Sequence, residues 1–459
     1  MNSDMRRLLE IHMTSISALA FAMLASLSAL TAAQTNTDRS RTMTATVVSS
    51  TAAETDRRSG PEDIRPYRVH FSTQSVNDLR RRIRETRWAD KETVADASQG
   101  VQLSMLKELA RYWSTSYDWR KAEARLNAYP QFVTNIDGLD IHFIHVRSRY
   151  PNALPVVITH GWPGSVIEQL KIIGPLTDPP AYGGRAEDAF DVVIPSLPGY
   201  GFSARPTESG WNPARIARAW DVLMKRLGYT RYVAQGGDVG AIVTDAMGRI
   251  APTGLLGIHI NLYSGGPPEL RAGIASGAPA PPTLTDEEKA DYLRRQRLTA
   301  TGFGYFIEQA NRPQTIGNSL SDSPVGLASW MIDHDAISYG HITQLFMEGK
   351  PFGAITRDDI LDNITLYWLT NTGPSSARVY WESARAAVAA AGKPMPDVAV
   401  PVAFSAFPEE VVGAPRTWLE RSYPKLAYYN KVDRGGHFAA WEQPELFASE
   451  LRAAFKPLR

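Results

Sequence analysis

The sequence predicts an α/β fold built on a mainly parallel sheet, and three observations carry that prediction. Short apolar runs of strand length alternate with helical patterns from about residue 139 to residue 264. Two of those runs end in glycine-bearing turns, His160-Gly-Trp-Pro-Gly and Gly236-Gly-Asp-Val-Gly. Strand patterning returns near the C-terminus, at Val400–Ser405 and Leu426–Asn430, after a long helical stretch. Strands alternating with helices give a sheet covered on both faces. Right-handed crossovers bring the strand C-termini to one edge, where sites form.

Composition sets the outer limits. A chain of 459 residues can bury one large core with additions. Its 43% apolar and 21% charged content is that of an ordinary globular protein. A formal net charge of +1 gives no electrostatic footprint for a nucleic acid or an acidic partner. The absence of cysteine excludes disulfides, thiolate metal sites and cysteine nucleophiles.

In chain order, Arg6 and Arg7 precede an apolar run at Ile16–Ala33 that is rich in Ala, Leu and Ser and closes on Thr31-Ala-Ala. This is the pattern of a signal peptide over residues 1–33 and predicts a secreted or periplasmic protein. The competing reading is a membrane anchor through residues 16–33, and any membrane association would run through this segment. Residues 34–62 are rich in Thr, Ser and Arg without hydrophobic period and read as a disordered linker. Residues 63–150 read mostly as a helical attachment packed on the main domain. Tyr67–Phe71 alternates like a short strand, and Ser75 is the expected N-cap of the helix that follows. Val101–Trp113 and Trp119–Ala128 are further helices, the first with Leu103, Leu106, Ala110 and Trp113 on one face.

The first part of the core covers residues 151–264. Its expected strands are Pro155–Thr159, Phe190–Pro195, Arg231–Gln235 and Leu255–Leu262, with Leu139–Val146 ahead of them and a helix at Ile216–Leu227. Gly265–Pro282 is dense in Gly, Pro and Ala and breaks the alternation. Residues 265–395 then read as helices, among them Asp286–Arg297, Pro324–Asp333 and Arg378–Ala391. Inserted after the sixth strand, they form a lid over the active edge. The core resumes over residues 396–459. Asn363-Ile-Thr365 matches a glycosylation acceptor triplet.

The turn after Val233-Ala-Gln has the layout of a nucleophile elbow, a strand turning sharply into a helix with one side chain at its apex. The apex is Asp238, a carboxylate nucleophile that would form an ester with its substrate. Such an ester must be hydrolysed, which calls for a base oriented by an acid. His437 in Arg434-Gly-Gly-His-Phe follows the last strand, where the base of this order falls. The acid belongs after the preceding strand, where Glu409 and Glu410 both stand and spacing does not separate them; Asp433 is a weaker third choice. Two backbone N–H groups should form the oxyanion hole, those of Val239 and Trp162.

Together these motifs resemble the epoxide hydrolases of the microsomal type, within the α/β-hydrolase superfamily. The resemblance runs from about Ile64 to the C-terminus. His160-Gly-Trp-Pro-Gly resembles the family's oxyanion motif and Gly236-Gly-Asp-Val-Gly its nucleophile motif. Phe404-Ser-Ala-Phe-Pro-Glu-Glu resembles the acid segment, in which Phe-Pro-x-Glu selects Glu410. Arg434-Gly-Gly-His-Phe-Ala-Ala-Trp-Glu-Gln-Pro-Glu resembles the histidine segment. The resemblance also implies two lid tyrosines that donate to the epoxide oxygen, matched by Tyr305 and Tyr380. It implies a small-molecule epoxide substrate, a diol product and no metal or organic cofactor. Val239 departs from the tryptophan usual there, which reshapes the pocket. The same change weakens the main alternative, a haloalkane dehalogenase or related ester hydrolase that would use that tryptophan to hold halide. A non-catalytic ligand-binding member is the third reading, against which the full set of candidate catalytic residues speaks.

Overall fold

The computed structural model describes residue 60 and residues 62–459. The expected signal peptide, and the linker apart from residues 60 and 62, lie outside the described residues.

Nine strands form one sheet: β1 (Arg65–Tyr67), β2 (Gln131–Ile136), β3 (Leu139–Val146), β4 (Leu154–Thr159), β5 (Phe190–Pro195), β6 (Tyr232–Gly236), β7 (Leu255–Ile260), β8 (Val402–Ala406) and β9 (Leu426–Lys431). Their order is β1-β2-β3-β5-β4-β6-β7-β8-β9. The first three pair antiparallel, and β3 joins β5 antiparallel. From β5 to β9 every pairing is parallel. Val156, Val192, Val233 and Ile258 are fully buried, as a sheet covered on both faces requires. This is the mainly parallel sheet that the alternation predicts, in the α/β-hydrolase arrangement that the resemblance implies.

Three expectations shift. The stretch at Gln131–Ile136 is a strand in its own right, hairpinned to β3 through Asp137 and Gly138, both at positive φ. The strand before the insertion, sixth among those legible in the sequence, is therefore the seventh in the sheet. Strands β1, β2 and β3, all within residues 63–150, extend the sheet. At the start of the chain, β1 ends at Tyr67 because the Asn127 side chain takes both the N–H and the carbonyl of Val69 (2.9 and 2.8 Å). The next helix, Thr73–Arg84, is capped by Ser72, whose hydroxyl accepts from the Ser75 N–H, so Ser75 lies inside it.

Between β7 and β8 lies a helical layer that includes Asp286–Arg297, Gly304–Asn311, Pro324–Ile332, Ala336–Met347, Arg357–Thr370 and Gly373–Ala390. Helix Arg357–Thr370 is its anchor. Asn363 donates to the Pro163 carbonyl and Tyr367 to the Gly164 carbonyl, both at 2.7 Å, fastening the layer to the loop after β4. Asn363 is 5% exposed and spends its amide on that bond, so the Asn363-Ile-Thr365 triplet is no glycan acceptor in the folded chain. The N-terminal helices Leu103–Thr115 and Trp119–Leu126 grip the same anchor. Trp113 Nε1 donates to Thr365 Oγ1 (2.9 Å), and the Tyr112 and Tyr117 hydroxyls donate to Asp358 and Asp362 (2.8 Å each). Arg125 pairs with Asp359 and Asp362. The attachment thus packs on the inserted helices. Among the described residues, no helix is long and apolar enough to cross a membrane.

Candidate active site

Strands β4 and β6 are neighbours, with Thr159 opposite Gly236, so the loops that follow them begin side by side. The order of connection reverses here, since β5 lies on one flank of β4 and β6 on the other. Asp238 turns the chain from β6 into helix Val239–Ile250 with φ 49° and ψ −128°. That conformation costs on the order of 1–3 kcal/mol for a residue with a Cβ and persists because its surroundings impose it. Gly161 is one reason it can. A methyl group there would overlap the Asp238 side chain, so only glycine lets the two loops close. Gly240 has the same duty against the Thr159 carbonyl.

The carboxylate is held unevenly. The Trp162 N–H donates to Asp238 Oδ1 at 2.7 Å. Oδ2 lies 3.4 Å from His437 Nε2. His437 Nδ1 is 2.7 Å from Glu410 Oε1, and both side chains are almost fully buried. Glu410 therefore stands where the orienting acid is expected. Glu409 turns away to His341 (3.1 Å), and Asp433 pairs with Arg434 in solvent. Glu442, which sequence reasoning passed over, braces the histidine loop by accepting the N–H groups of Gly436 and Phe438 (2.8 and 2.9 Å).

Burial alone would push the Asp238 carboxyl up, but the His437 hydrogen bond and charge, joined by His334 and the Val239 N–H, outweigh it and hold it below its ordinary range. For His437, burial opposes the charged form, yet the Glu410 and Asp238 carboxylates raise it well above the usual value. Both shifts favour a carboxylate facing an imidazolium. Glu168, another residue not foreseen, is pushed up to about 8 by burial, with a Gln169 hydrogen bond opposing, and is neutral at pH 7.

Tyr305 and Tyr380 come from helices Gly304–Asn311 and Gly373–Ala390 and meet at Trp162. The Tyr305 ring stacks on the Trp162 ring (4.9 Å, 15°), and Tyr380 stands edge-on to both (6.1 Å from Trp162, 6.0 Å from Tyr305). The Tyr380 hydroxyl is buried with no hydrogen-bond partner among the described residues. Burial, followed by the nearby Asp238 charge, raises both phenols well above 10, so they stay protonated and available as donors. The structure brings all seven predicted site residues together. It adds His334, which neither spacing nor resemblance singled out. Its one sequence signal is the Asp-His-Asp run at residues 333–335, which reads as a helix end.

The chemistry does not sit in the roomier cavities. One of about 450 Å³ is lined by Pro206, Trp211, Arg312, Arg378 and Glu382 and touches none of the predicted site residues. Trp162, Glu168, Gln235, Asp238 and His437 instead line a cavity of about 20 Å³. That volume admits a single water but no organic substrate.

Two family models match. The epoxide hydrolase N-terminal family covers residues 64–169, and the alpha/beta hydrolase fold covers residues 155–259. A Stigmatella aurantiaca protein provisionally named an epoxide hydrolase is 51% identical over 397 residues, 86% of each chain. Epoxide hydrolase 1 of Sus scrofa is 38% identical over 404 residues, spanning 85% of this chain and 88% of that one. Among solved structures, the juvenile hormone epoxide hydrolase of the silkworm Bombyx mori superposes with a TM-score of 0.75 at 30% identity, covering 87% of this chain and 95% of that one. The Aspergillus niger epoxide hydrolase gives 0.72 at 30% identity, covering 86% and 97%. A likeness of this length, which spans sheet, insertion and N-terminal helices alike, establishes that the chain belongs to the epoxide hydrolase family, on its microsomal-type branch.

Proposed function

We propose that this epoxide hydrolase turns a small-molecule epoxide and water into a vicinal diol through an ester on Asp238. The observation that carries the reading is the uneven hold on that carboxylate: Oδ1 is fixed by the Trp162 N–H while Oδ2 faces His437. Oδ2 attacks an epoxide carbon, and the ring C–O bond breaks. Tyr305 and Tyr380 hydrogen-bond the leaving oxygen, which takes a proton, because a free alkoxide is a poor leaving group. The imidazolium of His437 restores that proton.

Ester formation then changes His437. The Asp238 charge that helped to hold its proton is gone, so the neutral imidazole becomes a competent base. It takes a proton from water as the water oxygen bonds to Asp238 Cγ. The electron pair of the C=O bond moves to Oδ1, where the Trp162 and Val239 N–H groups receive it. Collapse breaks the ester bond, and the acid just formed on Asp238 gives its proton to the departing alkoxide. Carboxylate and imidazolium are restored, and no cofactor enters the cycle.

In this reading the helical layer between β7 and β8 serves as the lid, and the small cavity is its closed state. The Arg6–Ala33 segment supports export, a reading that N-terminal sequencing of the mature protein tests through cleavage near Ala33. For the chemistry, His437→Gln treated with a styrene-oxide-type epoxide should accumulate a mass adduct on the peptide holding Asp238. Absence of the adduct alongside normal epoxide consumption would remove the ester from the mechanism.

A further inference from the structure

We propose that His334 is a second catalytic histidine, which holds the hydrolytic water beside His437 for attack on the Asp238 ester. The proposal rests on the ester reading above. A ring nitrogen of His334, a ring nitrogen of His437 and a carboxylate oxygen of Asp238 lie mutually within 4.8 Å. An oxygen at the centre of a triangle with sides no longer than that sits about 2.8 Å or less from each corner, which is hydrogen-bonding reach. One water can therefore touch both imidazoles and the carboxyl group together.

The two histidines are built alike. His437 Nδ1 meets the buried Glu410 carboxylate at 2.7 Å, and His334 Nδ1 meets the buried Asp335 carboxylate at 2.9 Å. With Nδ1 tied in each, Nε2 is the nitrogen left to face the site. Asp335 is fixed in turn, because its other oxygen accepts the N–H groups of Ile337 and Ser338 (2.9 and 2.8 Å) and caps helix Ala336–Met347. The imidazole rings lie 4.4 Å apart, and His334 also packs against Tyr305 at 5.2 Å. Both dyads are buried, His334 at 3% exposure. One therefore comes from the sheet edge and the other from the inserted helices.

A water has two O–H bonds, and this arrangement uses both. One proton passes to His437 Nε2 as the oxygen bonds to Asp238 Cγ. The other stays on the oxygen and is donated as a hydrogen bond to His334 Nε2. With both hydrogens engaged, a lone pair is left to point at the ester carbon, so the attack geometry is set before reaction.

The test separates the two chemical steps. Ester formation is followed with enzyme in excess, by quench and mass spectrometry, and decay of the accumulated ester is timed separately. His334→Phe keeps a ring in the aromatic stack and removes both nitrogens. It should slow ester decay by about tenfold or more while ester formation stays within about twofold of the parent. Asp335→Asn, which keeps the helix cap, should slow the same step by a smaller factor. Unchanged ester decay in His334→Phe would overturn the proposal, and so would an equal fall in both steps, which marks a packing role. Failure of the parent chain and His437→Gln to form any ester defeats the underlying mechanism, so the two failures are told apart.

Discussion

The two halves of the site are assembled by different physics. On the sheet edge, Asp238, Trp162, Glu410 and His437 are tied by hydrogen bonds to backbone or carboxylate at 2.7 Å, and glycines let their loops approach. In the inserted helices, Tyr305 and Tyr380 are held by ring packing, and the Tyr380 hydroxyl has no partner among the described residues. In the proposed reaction, the nucleophile, its base and the orienting acid all come from the sheet edge. The two phenols that meet the opening ring come from the inserted helices. A buried hydroxyl without a partner is costly in a finished fold and useful where a ligand supplies the partner.

The largest effect that tests this contrast is on the sheet side. Asp238→Ala should eliminate diol formation, a fall of about 10⁴-fold or more, with no covalent adduct under any epoxide. Chiral chromatography of the diol from a panel of epoxides reads it, and residual turnover would move the nucleophile elsewhere. Next come the helical residues. Tyr305→Phe and Tyr380→Phe should each slow ester formation by roughly 10- to 100-fold while leaving ester decay near the parent rate. Equal slowing of both steps would erase the division of labour between the two halves.

Smaller effects probe the fastening and the charge balance. Asn363→Ala leaves the Pro163 carbonyl without its donor and should lower stability by about 1–3 kcal/mol in urea unfolding. An unchanged midpoint would mean that the bolt between the halves bears no strain. The last concerns pH. Glu168 is raised to about 8 in the fold against an ordinary value near 4.5, so the folded chain holds its proton more tightly than the unfolded one. That contribution is full below about pH 4.5 and is lost as pH rises towards 8. Glu168→Gln should flatten this slope, which denaturation midpoints at stepped pH would display.

What could be read from the residues alone follows the same division. Asp238, His437 and the acid segment announce themselves because sharp turns need glycine, and glycine leaves a mark in sequence: Gly236-Gly-Asp-Val-Gly and Arg434-Gly-Gly-His. Between Glu409 and Glu410, only the fold shows the physical difference, since one faces the core and its neighbour faces His341. Tyr305 and Tyr380 sit in helices with no local peculiarity and were legible through resemblance only. His334 was not legible, because its partners His437 and Asp238 lie about a hundred residues away on either side. Strand β2 could have been found, since Asp137-Gly138 between two alternating runs is a hairpin signal.

The grip of the N-terminal helices on Arg357–Thr370 bears on modularity. The inserted helices invite exchange between relatives as a single block. Here Trp113, Tyr112 and Tyr117 close its outer face with hydrogen bonds from more than 230 residues upstream. A chimera that transplants only the insertion would inherit half-buried Asp358 and buried Asp362 and Thr365 facing foreign partners. The exchangeable unit in this chain is discontinuous: helices Leu103–Thr115 and Trp119–Leu126 have to travel with the inserted helices.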